Sequence, residues 1–176
     1  MGEEPEILTS TYKISGKEGE GIFIKALEDK DVNVRRKAVY YLGLTKCTDT
    51  NVISHLIDLI RKRRKDEEEP PDHLQMQAIA SLGLISTQSK ECRNATVKAL
   101  IHMLTPGHRG LFNRGKTDMR EKSETVMIVA CKKLALLGSK DALPVFKALR
   151  RANSEDLNKA SEEAIQKIES AKPPHV

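Results

Sequence analysis

The strongest chemical suggestion in the chain is Gly110-Leu111-Phe112-Asn113-Arg114-Gly115-Lys116-Thr117, which satisfies the pattern Gly-x-x-x-x-Gly-Lys-Ser/Thr at every position. In a phosphate-binding loop of that pattern, backbone N–H groups cradle the phosphates. The lysine meets the terminal phosphate, and the hydroxyl ligates magnesium. That chemistry needs a buried strand leading in and a helix leading out. A helix is expected from Asp118, but the residues before the loop, Ala99 to Leu104, end a helical stripe and Pro106 follows. No later strand ending in aspartate completes a metal site, and no parallel sheet is patterned anywhere. The stretch is therefore expected to be a solvent-exposed glycine loop. A weaker reading is a loop that takes phosphate or acidic groups on Arg109, Arg114, Lys116 and Arg120.

The other reactive residue types do not form constellations. His55, His73, His102, His108 and His175 stand singly, whereas a metal needs companions at fixed geometry. Cys47, Cys92 and Cys131 lie far apart without Cys-x-x-Cys spacing, which suits reduced thiols better than zinc or a disulfide framework. The serines have no His/Asp companions of the kind nucleophilic catalysis requires. No catalytic residue, metal or cofactor is expected.

The elements behind these residues are helical. Val34, Ala38, Val39 and Leu42 fall on one helical face, with Gly43 near its end, where glycine permits close packing or a cap. Val52, Ile53, Leu56, Ile57 and Ile60 make a second stripe at the same period, so the two form a helical hairpin. Leu74, Ala78, Ile79, Leu82 and Gly83 repeat the first stripe position for position, and Asp72 with Gln75 resembles a capping pair. A second helix from about Ser89 to Leu104 completes that unit. After the glycine-rich insertion come Val126, Ala130, Cys131, Leu134, Ala135, Leu137 and Gly138, then a helix with Pro144 in its first turn. A fourth, unfinished unit holds Leu157, Ala160, Ala164, Ile165 and Ile168. Ala38, Ala78, Ala130 and Ala160 recur at solenoid spacing, stretched once by the insertion.

Composition fits such a protein. Of 176 residues, 39% are hydrophobic and 31% charged, which suits a folded α-rich chain. No apolar run reaches the roughly 18–20 residues of a membrane span, and Met1 to Glu6 is acidic, unlike a signal peptide. A cytoplasmic protein with no membrane partner is expected. The net charge of +5 favours acidic partners, but the 30 basic residues are mixed with 25 acidic ones, as on an ordinary solvated surface. Arg61 to Lys65 followed by Asp66 to Glu69 reads as helix-end charge complementing helix dipoles. With three tyrosines, three phenylalanines and no tryptophan, there is little material for stacking single-stranded bases.

The pattern Asp-x-x-Val-Arg-x-x-Ala-x-x-x-Leu-Gly, present as Asp31, Val34, Arg35, Ala38, Leu42 and Gly43, resembles the HEAT repeat. The run Leu134-Ala135-Leu136-Leu137-Gly138-Ser139-Lys140-Asp141-Ala142-Leu143-Pro144 resembles the short bacterial and archaeal form, often called phycobilisome-lyase-type HEAT. The resemblance covers about Ile22 to Ile168. It departs from the pattern where Leu74-Gln75 replaces the Val-Arg pair and where Ile165 replaces glycine. It implies an all-α, right-handed α-solenoid of about four helical hairpins over residues 21–170, with an insertion at 105–118. Residues 1–20 would be an N-terminal extension and 171–176 a tail. HEAT-like proteins are mostly non-enzymatic scaffolds, so the expected function is to hold an acidic or peptide-like protein partner on the concave face. The second helices line that face in this class. With Ser54, the residues expected there are Asp58, Lys62, Lys98, His102, Lys147, Arg150 and Arg151. The alternative is nucleic-acid or polyanion binding through the same cations and the 107–120 loop. Behind both stand a phosphate-loop nucleotide enzyme and a chromophore-lyase-like role.

Overall fold

A computed structural model describes residues 17–45, 51–61, 72–105, 119–151 and 154–171. They form helices α1 (Lys17–Ala26), α2 (Val32–Leu44), α3 (Asn51–Arg61), α4 (Asp72–Ile85), α5 (Lys90–Leu104) and α6 (Met119–Leu137). A 3-10 turn at Lys140–Ala142 leads into α7 (Leu143–Leu149), and α8 (Glu155–Ser170) follows. No strand occurs among the described residues, and the all-α helical-hairpin class expected from the sequence is the one they take. None of the described helices is long and apolar enough to cross a membrane. The chain divides into two compact units, Met1–Thr96 and Val97–Val176.

In the first unit α1 packs on α2, α2 runs along α4, and α3 packs on α4. Asp31 starts α2: its carboxylate accepts from the Asn33 N–H at 2.7 Å, satisfying one of the donors a helix start leaves open. The buried face of α2 is Arg35, Ala38, Val39, Leu42 and Gly43. Val34 is only half-buried, so the inward position expected for it belongs to its neighbour Arg35. The second stripe buries every residue expected of it, Val52, Ile53, Leu56, Ile57 and Ile60.

Side chains of α4 reach carbonyls of α2 in ascending order along both helices. Gln77 Nε2 donates to Arg36 O at 3.3 Å, Ser81 Oγ to Val39 O at 2.8 Å, and Gln88 Nε2, just past α4, to Thr45 O at 2.8 Å. Offsets that stay nearly constant mean the two helices are parallel, as first helices of successive hairpins must be when each buries its apolar stripe against the next. The contact is close because Gly43 has no side chain. A Cβ there would lie 2.8 Å from Ser81 Cβ and 3.0 Å from Ser81 Cα.

α1 begins at Lys17, within the stretch expected to be an N-terminal extension, and it takes in Gly19 and Glu20, both buried. Packing around Phe23, which is fully buried, outweighs the helix-propensity cost of two glycines, about 1 kcal/mol each. Asp72 is the first residue of α4, and Gln75 reaches beyond its own helix. Its amide donates to Ile60 O at 2.7 Å, at the far end of α3.

In the second unit α6 packs along α8, and α7 packs on α8. Here too the first helices run parallel. Ser154 hydrogen-bonds Glu124 at one level, and the Ser161 hydroxyl lies by the Cys131 thiol seven residues, about two turns, further along each helix. Ser154 also caps α8, accepting from Leu157 N–H at 3.1 Å. Gly138 takes φ +64, and its N–H donates to Leu134 O and Ala135 O, so it closes α6 in the left-handed conformation suited to glycine. Pro144 occupies the first turn of α7, as expected. Leu157, Ala160, Ala164, Ile165 and Ile168 are all buried in α8.

Cys131 is fully buried between α6 and α8. Burial pushes its thiol up to about 12 from 9.0, while the Ser161 hydroxyl pulls weakly the other way. The folded chain therefore keeps a proton that the unfolded chain releases. That contribution to stability is intact below pH 9.0 and is lost as pH rises towards 12. Denaturant titrations across that range should show stability falling more steeply for the native sequence than for Cys131→Ala. Equal slopes would assign the alkaline loss to tyrosines and lysines instead.

Candidate interaction surfaces

The residues expected on the second helices fall on two of them and at the end of a third. On α3, Ser54 and Asp58 are exposed, one turn apart, opposite the buried Val52, Ile53, Leu56 and Ile60. Lys62 lies outside the described residues. On α5, Lys98 and His102 are likewise one turn apart and exposed, while Val97, Leu100, Met103 and Leu104 are buried. The 3.6-residue period thus sorts each helix into an inner and an outer face.

Lys147 is exposed in the last turn of α7, and Arg150 and Arg151 follow it, also exposed. Helix C-termini attract cations, because the last carbonyls leave a partial negative charge there. Arg150 Nη2 lies 3.1 Å from Glu162 Oε1, with both side chains about half exposed (49% and 51%). An ion pair that open to water contributes on the order of 0–1 kcal/mol. Its larger effect is to turn Arg150 towards α8, which leaves Lys147 and Arg151 as the cations presented outwards.

Of the loop residues, Arg109, Arg114 and Lys116 lie outside the described residues, with the whole of Gly110 to Thr117. Arg120 falls in the first turn of α6. Among the described residues no three His, Cys, Asp or Glu side chains come together as a metal would require. Cys92 and Cys131 are buried and neither is in a disulfide. At the start of α5 the backbone N–H and the Ser89 hydroxyl hold the Glu91 carboxyl below its usual range, as an anion at a helix N-terminus should be.

Sequence reasoning missed a second kind of surface. Tyr40 and Leu44 on α2 and Leu84 on α4 are large apolar side chains at 50%, 39% and 46% exposure. Aligning the buried alanines Ala38, Ala78 and Ala130 places Leu44, Leu84 and Leu136 at one register position, and Leu136 is 62% exposed. The signal was readable only after the repeat register had been fixed. Within a single helix an outward leucine is unremarkable.

No protein-family model matches the chain, and no curated protein matches it. Among solved structures it is similar to an engineered protein at 18% identity and TM-score 0.46, over 87% of this chain and 63% of that one. A second engineered protein is similar at 17% identity and TM-score 0.39, over 88% of this chain and 38% of that one. A designed armadillo repeat protein in complex with a (KR)4 peptide is similar at 13% identity and TM-score 0.33, over 93% and 92% of the two chains. The chain therefore spans 63% and 38% of the lengths of the two engineered proteins.

Proposed function

We propose that the chain is a cytoplasmic HEAT-like binding scaffold, without chemistry of its own, which holds an acidic or peptide-like segment of a partner protein. The partner would lie against the exposed side of the second helices. In the second unit Lys98, Lys147 and Arg151 supply attraction, with His102 and Arg150 as further contacts. The repeat reading is supported by what each motif residue does: Asp31 caps α2, Ala38 and Leu42 fill the core, and Gly43 admits the next helix.

One observation carries the functional reading. Lys98 and Lys147 are exposed on helices whose opposite faces are buried, and Arg151 follows directly on α7, so their charge is presented from a fixed frame. Preorganised charge favours encounter and specificity more than bulk affinity. A fluorescent glutamate-rich peptide should therefore bind, and Lys98→Glu, Lys147→Glu and Arg151→Glu together should weaken it about tenfold or more, at about 0.5–1 kcal/mol per exposed charge. A DNA duplex bound more tightly than the peptide, lost in the same variant and falling log-linearly with salt, would replace this reading with polyanion binding. Lys116→Ala should leave ATP titrations as flat as those of the native chain. ATP binding lost in that variant would restore the nucleotide reading.

A further inference from the structure

The outward faces of α2 and α4 are unlike the rest of the surface in two ways. They are apolar at one end: Tyr40, Leu44 and Leu84 are each more than a third exposed. They are also almost free of acid. α2 contains no aspartate or glutamate, and α4 has only Asp72, its first residue, although 25 of the 176 residues in the chain are acidic. Lys37 is exposed one turn before Tyr40 on the same face.

The apolar group is held in place. Gly43 lets α2 touch α4 at Ser81, and Leu44 and Leu84 each stand within one turn of that contact. The Tyr40 ring meets Tyr41 edge-on at 5.5 Å, and Tyr41 in turn stacks on Phe23 at 5.4 Å. A half-exposed tyrosine beside a fixed helix pair is a usual anchor of protein recognition, and the two leucines add apolar area around it.

From these observations we propose a second docking surface, on the first helices of the first unit. Tyr40, Leu44 and Leu84 receive the apolar stripe of an amphipathic helix from another protein, whose carboxylates lie towards Lys37. Charge and size choose that occupant. A face with a lysine and hardly any acid suits an acidic segment. Three half-exposed side chains cannot supply the roughly 800 Å² per partner of a stable homodimer, but they match one side of a two- to three-turn helix. It uses none of the cations of the second helices, so the two proposals can fail independently.

Because the chain has no tryptophan, a probe with a single tryptophan reports binding without background. The probe is a peptide of about 14 residues with leucines at helical i, i+4 spacing and glutamates on its other face. We expect Leu84→Glu and Leu44→Glu each to weaken binding about tenfold or more, with unfolding midpoints near native because both side chains face water. A lysine version of the probe should bind the native chain at least severalfold more weakly, and Lys37→Glu should narrow that gap. In a chain already carrying Lys98→Glu and Lys147→Glu, which removes the cations proposed above to attract glutamate-rich peptides, Leu84→Glu should weaken the probe by the same factor. The proposal is overturned by equal binding to Leu84→Glu, by a Leu84→Glu effect that vanishes once Lys98 and Lys147 are reversed, or by no binding at millimolar probe. Self-association abolished by Leu84→Glu would overturn it too, with a second copy of the chain as the occupant.

Discussion

Gly43→Ala should destabilise the first unit by about 2 kcal/mol, although alanine is the better helix former. In an exposed helix interior the exchange would gain about 1 kcal/mol. At Gly43 the new methyl would meet Ser81 Cβ at 2.8 Å and Cα at 3.0 Å. Neither atom can turn away as a side-chain tip could, since both are fixed to the backbone of α4. The helices must therefore part, at the 1–3 kcal/mol or more typical of overpacking. Parting them also stretches the Ser81–Val39 hydrogen bond, about 1 kcal/mol more. Gly21 is the matched control. A Cβ there meets nothing within 4 Å, so Gly21→Ala should stabilise by about 0.5–1 kcal/mol. The measurement is denaturant unfolding of both variants, with Ser81→Gly added in the Gly43→Ala background. If the clash is the cause, Ser81→Gly should cost much less there than in the native chain, with a coupling of about 1.5 kcal/mol. Opposite signs for the two glycines are the essential result. Stabilisation by both would mean that α2 and α4 do not touch at this level.

That contrast also shows what was legible beforehand. The apolar periods of α2 to α5 and of α6 and α8 could be read directly, because burial of a stripe is recorded in spacing. The recurrence of Ala38 and Ala78, and of Ala130 and Ala160, likewise identified the helices that run side by side within each unit. The roles of individual glycines were not legible. Gly43 and Gly138 each follow a leucine, yet one sits inside a helix against a neighbour and the other ends a helix at φ +64. The difference lies in what the chain meets in space, which a local sequence does not encode. The register carries the same lesson: in the third unit it is Ala135, not Gly138, that corresponds to Gly43, and Ala135 is buried. For the interaction surfaces, exposure of the second-helix cations followed from helical period alone. The Arg150–Glu162 pair, by contrast, needed the path of the chain between α7 and α8. The Tyr40, Leu44 and Leu84 group needed the register of two helices at once.

Arg35 is the extreme case, because every hydropathy argument places an arginine outside. It is 2% exposed, and its Nη1 donates to Asp29 O at 2.7 Å and to Lys30 O at 2.9 Å. Those carbonyls belong to the connection between α1 and α2, where Asp31 N–H also donates to Asp29 Oδ1 at 2.8 Å. The guanidinium thus supplies donors to two carbonyls of that turn, and it ties the start of α2 to the connection from α1. Arg35→Met keeps most of the volume but strands two carbonyls, at about 1–3 kcal/mol each if they stay buried. Some relaxation towards water is expected, so we predict a loss of about 3 kcal/mol, or an unfolding midpoint lower by about 6–12 °C. Arg35→Lys should recover less than half of it, because an ammonium on a flexible stem does not reproduce the planar fork. Amide hydrogen exchange provides the sharper readout. Protection should fall first in α1 and the start of α2, while α8 in the other unit keeps its own. A loss below about 1 kcal/mol would mean that burying the charge costs nearly as much as its hydrogen bonds return, as can happen for buried ions. In that event Arg35 would tie α2 to that connection without stabilising it.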